Sequence, residues 1–304
     1  MTYIIIVTYN GMHWLDQCLK SCADYPVIII DNASIDNTVA FIEQNYPNVI
    51  LFKQKENLGF GQANNLGIRY ALDKGAEHVF LLNQDAYLVD TVLNDLVAFQ
   101  KKQPKHGILS PIHITGDQIK LDKNFSIFMR KECSGQFYSD FVLGNTLKAV
   151  YEVPFINAAA WLISKACLET VGGFDPLFFH YAEDDNYCQR VLYHGFKIGV
   201  LPQSYVIHDR AERKPIQPKK YTEAYFALAI RKFKVRFADV NNKEALRQLR
   251  LKLKYAKKQY LKAAFLLSFY NYKGLKKEYK TLKKLEKAVR QSYAVNKTKG
   301  SHYI

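Results

Sequence analysis

Four sets of side chains in this sequence are of types that could do chemistry together. Glu183, Asp184 and Asp185 stand consecutively in GGFDPLFFHYAEDDNYCQR, just after a glycine-rich aromatic loop. A carboxylate held near a hydroxyl can take its proton as a general base. Acidic side chains also favour a helix N-terminus through the macrodipole, so a structural role for the run stays open. Successive helical residues face different ways, and at most one or two of the three can point at one reaction centre. Asp85 closes the triplet Asn83-Gln84-Asp85 after the apolar run HVFLL. A carboxylate there suits a hard divalent cation such as Mg2+ or Mn2+, which takes oxygen ligands, although a lone Asp can equally start a turn. His208, in SYVIHDR, could join such a cation, donate to a diphosphate, or be structural. The fourth set is polar: Thr8, Tyr9 and Asn10, with Asp31, Asn32 and Ser34.

Positioning these groups falls to alternating strands and helices. TYIIIVT, PVIIID, NVILFK and HVFLLN read as strands, and the segments after Gly11, Ile35, Gly61 and Asp90 read as helices. Strands apolar on both faces imply an α/β fold with a mostly parallel sheet covered by helices, where ligands bind beyond the carboxyl ends of the strands. The polar clusters fall at those ends. Asp36 to Thr38 read as helix-capping residues, but capping alone rarely repeats at three successive strand ends.

Between residues 104 and 155, Pro104, Pro111, Gly116, Gly135 and Gly144 punctuate short aromatic stretches that could be hairpins, and the region reads as mixed. A strand is expected at Phe155 to Ile163, a helix from Ser164, another from Ala182 to His194, and strands at Phe196 to Leu201 and Tyr205 to His208. Beyond Pro218 the chain is helical and basic. Leu246, Leu249, Leu253, Ala256, Tyr260, Ala263, Leu267 and Tyr270 form a stripe with steps of three and four. Such a stripe needs a partner: the α/β domain, a second helix over Leu275 to Val289, another copy in a homodimer, or a lipid surface.

The net charge of +15 belongs to this tail. Residues 1–210 carry 17 Lys and Arg against 22 Asp and Glu, and residues 211–304 carry 26 against 6. Lys and Arg near anionic lipid head groups contribute about 1 kcal/mol each, so contact with an anionic membrane is one expectation; a solvated helical pair is the other. The tail has no DNA or RNA motif, and no nucleic acid partner is expected. Cys18, Cys22, Cys133, Cys167 and Cys188 are odd in number and lack zinc spacing, so they read as reduced, in a reducing compartment. The chain opens directly into a strand without a signal peptide pattern, and no apolar run approaches the roughly 20 residues of a membrane span. A cytoplasmic location is expected, peripheral on the inner face of the membrane if the tail binds lipid.

VTYNG at 7–11, DNASIDNT at 31–38, NLGFGQANNLGI at 57–68, LLNQDAYL at 81–88 and GGFDPLFFHYAEDDNYCQRVLYHGFKIGVLP at 172–202 together resemble the bacterial family 2 glycosyltransferases, most of all their rhamnosyltransferase-like branch. The resemblance implies a GT-A fold over residues 1–215, with a nucleotide-binding half at about 1–103 and an acceptor-binding half at about 104–215, followed by a basic helical extension over 216–304. It implies an inverting, metal-dependent transfer from a nucleotide-diphosphate sugar, with rhamnose on deoxythymidine diphosphate as the first expectation and a uridine-linked hexose next. The acceptor would be a saccharide or a polyprenyl-diphosphate-linked saccharide of bacterial surface polysaccharide assembly.

By the same resemblance Thr8, Tyr9, Asn10, Asp31 and Ser34 would hold the nucleoside, with Asn83 beside them. Asn57, Gly59 and Asn64 would close over nucleotide and phosphates. Asp85 matches the metal-binding Asp, in a triplet where many relatives carry N-P-D or D-x-D, and His208 matches a late metal or diphosphate ligand. Asp184 would be the general base and Glu183 its orienting partner. Trp161, Gly173 and Asp185 would lie on the acceptor side, a buried core Trp being the other reading of position 161. Relatives often carry Asp where Asn186 stands, which weakens any role there. A sugar nucleotidyltransferase would need a Gly- and Arg-rich loop after the first strand, and VTYNGMHW has neither. A basic nucleic-acid- or membrane-binding protein without activity is the remaining alternative.

Overall fold

The computed structural model describes all residues except 23–24, 90, 133–135 and 211–216, together with the backbone alone of 130–132. Cys133, Gly135 and Asp90 therefore lie outside the described residues. The chain opens with β1 (Thr2–Thr8), α1 (Met12–Ser21), β2 (Val27–Asp31), α2 (Thr38–Asn45), β3 (Ile50–Lys53), α3 (Gly59–Asp73) and β4 (His78–Asn83). β1 pairs in parallel with β2 and β4, and β2 with β3. Alternate residues of these strands enter two cores. Ile5, Ile28, Ile30 and Leu81 face one, and Ile4, Ile6, Ile29, Phe80 and Leu82 face the other. That division is why the strands are apolar throughout. Parallel pairing also sets Thr8, Asp31 and Asn83 at one edge of the sheet.

The sheet continues through β5 (Ala86–Leu88), α4 (Val92–Lys102), β6 (His106–Thr115), α5 (Lys123–Glu132), α6 (Gln136–Leu143), β7 (Tyr151–Glu152), β8 (Ala160–Ser164), α7 (Lys165–Val171), α8 (Glu183–Tyr193) and β9 (Lys197–His208). Its strand order is β3-β2-β1-β4-β8-β6-β9-β5, with β7 on β9. β8 runs antiparallel between β4 and β6, while β6 and β9 are parallel. Residues 104–155 are thus not hairpins: a ten-residue strand and two helices fill most of them. Pro111 punctuates no turn, because it sits inside β6 at a register shift, where a strand tolerates a missing donor. The strand expected from Phe155 starts only at Ala160, and the two strands expected at 196–208 are one.

Two compact units emerge: Met1–Glu212 with Lys299–Ile304, and Arg213–Thr298. The second is built from α9 (Glu223–Phe237), α10 (Ala245–Phe265) and α11 (Phe269–Val295). Phe226, Phe233 and Phe237 of α9, Leu249, Leu253, Ala256 and Ala263 of α10, and Leu282, Val289 and Tyr293 of α11 are buried. Most of the apolar stripe is therefore covered. Leu267 and Tyr270 are not, because α10 ends at Phe265 and Leu267 turns the chain at φ +50. No described helix is long and apolar enough to cross a membrane.

Candidate active site

Side-chain hydrogen bonds join the segments that follow β1 and β2. Gln84 Oε1 accepts from Thr8 Oγ1 at 2.8 Å and from the Tyr9 amide at 2.9 Å. Asn10, at φ +50, donates its amide to Ser34 Oγ at 2.9 Å and accepts from the Ile35 amide through Oδ1 at 2.9 Å. The Ser34 amide in turn donates to Asp31 Oδ2 at 3.1 Å. Asp31 is buried, yet its Oδ1 has no hydrogen-bond partner. A buried carboxylate oxygen left open is costly unless a donor reaches it, so it marks a place for a ligand N–H or O–H. Thr8, Tyr9, Asn10, Asp31 and Ser34 are thus brought together. Gln84, the middle of the triplet, stands among the strand-end polar residues of the sequence, but the resemblance assigns it no role.

The segment before α3 is fastened to the same edge. Asn32 Nδ2 donates to Asn57 Oδ1 at 2.9 Å, and the Leu58 amide donates to Asn32 Oδ1 at 2.7 Å. Gly59 adopts φ +76, and a Cβ there would overlap the Phe179 carbonyl oxygen. Only glycine lets the loop before α8 approach so closely. Asn64 is buried and spends its amide on the Phe60 carbonyl at 3.0 Å, within α3. Its neighbour Asn65 makes the longer link, donating to the Phe174 carbonyl at 2.8 Å and accepting from the Phe174 amide at 2.7 Å.

Asp85 and His208 meet because β5 pairs with β9, setting Ala86 opposite His208. His208 Nε2 lies 3.4 Å from Asp85 Oδ1, and Nδ1 lies 3.5 Å from Asp122 Oδ2. Both contacts are longer than a good hydrogen bond, and neither ring nitrogen makes one. Burial pushes the His208 pKa down, but Asp122 and Asp85 outweigh it and the net shift is upward. Burial also opposes ionisation of Asp122. His208, the Phe125 amide at 2.9 Å and Arg210 overcome that cost and hold its carboxyl below the usual range. Arg210 grips Asp122 with two bonds of 2.9 and 3.0 Å. His113, packed edge-on to His208, is pushed down to about 3 by burial and by that neighbour. Asp122, Arg210 and His113 escaped the sequence reading.

The three acids occupy the first turn of α8, after Tyr181 and Ala182 at φ +63 and +74. Asp184 Oδ1 accepts from the Asp185 amide at 2.9 Å, and the Ala158 amide also bonds its carboxylate. Burial and the neighbouring Asp185 raise the Asp184 pKa to about 7. Glu183 is buried beside Gly61, and Asp185 is half-buried. Residues 158 and 159 connect this turn to the triplet, since the Ala159 carbonyl accepts from the Asn83 amide at 2.9 Å. Two expected acceptor residues are placed otherwise. Trp161 is fully buried and stacks on Phe174 at 6.4 Å and 13°, because its strand has helices over both faces. Gly173 is buried as well, and its amide donates to the His302 carbonyl at 2.7 Å. Both are core residues and neither presents a surface to an acceptor.

Among the described residues, no three His, Cys, Asp or Glu side chains enclose a metal ion by themselves. The pair Asp85 and His208 would nevertheless suit a divalent cation that also took ligands from outside the protein. It offers a carboxylate oxygen and a buried, unbonded imidazole nitrogen, whose other nitrogen faces Asp122 as in metal-bound histidines.

Comparison with known proteins bears on this arrangement. The profile described as glycosyl transferase family 2 matches residues 3–172. The dTDP-rhamnosyl transferase RfbF of Shigella flexneri is 26% identical over 213 residues, 68% of each chain. The N-acetylglucosaminyl-diphospho-decaprenol L-rhamnosyltransferase of Mycobacterium tuberculosis is 26% identical over 255 residues, covering 73% of this chain and 80% of that one. Among solved structures, the mannosyltransferase PcManGT of Pyrobaculum calidifontis, in complex with GDP-Man and Mn2+, superposes with a TM-score of 0.52 at 20% identity, covering 97% of this chain and 86% of that one. The chain belongs to glycosyl transferase family 2, as a rhamnosyltransferase-like glycosyltransferase of GT-A fold.

Proposed function

We propose that this glycosyltransferase moves a sugar, with inversion, from a nucleotide diphosphate to a hydroxyl of a saccharide or polyprenyl-diphosphate-linked acceptor in surface polysaccharide assembly. The observation that carries the proposal is Asp184. It is a half-buried carboxyl with its pKa raised to about 7, at the start of a helix tied through residues 158–159 to Asn83, two positions before Asp85. A base poised near neutrality is suited to take a hydroxyl proton. The Asp184 carboxylate takes that proton as the acceptor oxygen bonds to the anomeric carbon and the bond to the diphosphate breaks from the opposite face. Attack opposite the leaving group inverts the configuration.

The open Asp31 oxygen and the polar cluster of Thr8, Tyr9, Asn10 and Ser34 would receive the nucleoside, with the Asn57 to Gly59 segment over the phosphates. Asp85 and His208 would hold a divalent cation, Mg2+ or Mn2+, which when bound neutralises charge on the diphosphate. Deoxythymidine diphosphate rhamnose is the favoured donor and a uridine-linked hexose the next. The likeness to the dTDP-rhamnosyl transferase supports the first, the likeness to the L-rhamnosyltransferase supports the sugar alone, and the decaprenol-linked acceptor of the latter supports a lipid-linked substrate here. The basic helical unit would then meet an anionic membrane from one side, as a peripheral contact.

The test replaces Asp184 with Asn. Removing a general base costs about 10²- to 10⁴-fold in rate, so transfer should fall by that amount while calorimetry shows unchanged nucleotide affinity. Full turnover in the Asp184→Asn enzyme would sink the assignment. A donor panel in a thermal-shift assay, with and without Mn2+, ranks the sugar nucleotides.

A further inference from the structure

We propose that the turn between α10 and α11 inserts into the head-group and upper acyl region of an anionic bilayer and anchors the enzyme there. This rests on the peripheral-membrane reading and adds to it the inserting element. Phe265, Leu266, Leu267 and Phe269 are 86, 61, 73 and 70% exposed, four large apolar side chains within five residues. Water gains nothing from such a group, whereas an acyl layer does, and clusters of this kind mark interaction sites. Tyr270 is fixed differently, its hydroxyl donating to the Lys220 carbonyl at 3.2 Å.

The amides of the turn are already paired. The amides of Leu266, Leu267 and Ser268 donate to the carbonyls of Lys262, Ala264 and Ala263 at 3.0 to 3.1 Å, and the Phe269 amide donates to Leu267 at 3.1 Å. A turn whose amides are paired internally can leave water without orphaned donors. Charge selects the occupant. Between Glu244 and Glu278 the chain carries ten Lys and Arg and no Asp or Glu. Near the turn, Lys258, Lys262 and Lys273 have no carboxylate partner among the described residues. A second copy of the chain would set these cations against themselves. An anionic lipid surface complements them, with apolar tip below and cations level with the head groups.

The experiment uses the full chain and two kinds of vesicle, phosphatidylcholine alone and phosphatidylcholine with phosphatidylglycerol in a two-to-one ratio. Wild type should float with the anionic vesicles and at least tenfold less with the neutral ones. Leu266→Ser, Leu267→Ser and Phe269→Ser together should lower anionic-vesicle binding at least tenfold. Transfer to a water-soluble saccharide acceptor should be unchanged, which also shows that the variant is folded. Leu267→Trp should add fluorescence that brominated acyl chains quench. Leu251→Trp, exposed on α10 and sixteen residues earlier, should add fluorescence that they do not. Equal flotation of the triple variant overturns the proposal, as does an unquenched Leu267→Trp, equal quenching of both tryptophans, or a soluble dimer broken by the triple substitution. Vesicle binding needs no substrate, so loss of the transfer reading and loss of the insertion reading show separately.

Discussion

Asp184 loses water on burial and faces the charge of Asp185, and both effects favour its protonated form. Only the ionised form can accept a proton, so kcat/KM should rise with pH up to about 7 and level off above it. Asp185→Asn removes the second cause and leaves the first, larger one. The acid limb should therefore move to lower pH by less than the whole shift, as a pH-rate profile of the two enzymes would show; an unmoved limb would remove Asp185 from the account. The same shift has a consequence for stability. A carboxyl whose pKa is raised on folding destabilises the fold fully above about pH 7, and this cost fades as pH falls toward its ordinary value. Asp184→Asn should thus melt higher than wild type at about pH 8 and lose that advantage by about pH 4. Asp122 presents the opposite case, ionised and gripped by Arg210 beside His208. Asp122→Asn should cost about 2 to 3 kcal/mol in denaturant unfolding, less than for a wholly buried pair because Arg210 is partly exposed. It should also weaken Mn2+ binding about tenfold, read by paramagnetic resonance. Asp85 and His208 could be picked out from strand-end positions, and the structure does bring them together. Asp122 could not, since a single Asp after an irregular stretch has no pattern until β6 and β9 lie side by side. Trp161 shows the converse, a residue type common at binding surfaces that here fills the core.

The central strands were legible because their physics is local. Ile4 to Ile6 and Ile28 to Ile30 must be covered on both faces, and runs of β-branched residues bounded by polar ends say so directly. The stretch from 104 to 155 was opaque because Pro111 and Gly116 serve contacts made with residues far along the chain. Pro111 marks a register shift against β9, and a Cβ at Gly116 would overlap the Asp209 carboxylate. Gly59 belongs to the same class, since its neighbour Phe179 is 120 positions away in sequence. Gly59→Ala combines left-handed strain with a backbone clash, so the loop before α8 must move away from α3. The expected result is a loss of about 2 to 4 kcal/mol of stability and a higher KM for the donor, measured by denaturant unfolding and steady-state kinetics. A variant of wild-type stability would mean that the approach of Phe179 to α3 is not tightly held.

Over the whole molecule, charge and connectivity separate the two units. The acidic first unit carries the candidate site, and the basic second unit lies between Glu212 and Lys299, so the chain leaves the first unit and comes back to it. Nothing in the composition of Lys299–Ile304 announces that return, because it is made largely by backbone. The Gly300 amide donates to the Thr170 carbonyl at 2.9 Å, and the His302 carbonyl accepts from Gly173. Gly172, at φ +82, lies where a Cβ would overlap His302. The Tyr303 ring lies 5.6 Å from the Arg190 guanidinium, which is itself fully buried and donates to the Val171 carbonyl at 2.9 Å. Ile304 packs on the core cluster that contains Trp161 and Tyr187. Removing residues 299–304 uncovers that cluster and leaves the Gly173 amide without its acceptor. Burial of one aliphatic side chain and one paired amide is worth about 2 kcal/mol or more, and each kcal/mol shifts the melting temperature of a unit this size by about 2 to 4 °C. A chain ending at Thr298 should therefore melt about 4 to 8 °C lower in calorimetry, with the loss confined to the transition of the first unit. Because Arg190 also donates to Asn186, at 3.1 Å, on the helix that carries Asp184 in its first turn, the truncated enzyme should lose turnover before it loses nucleotide affinity. An unchanged melting temperature would show that the returning segment rests on the first unit without holding it.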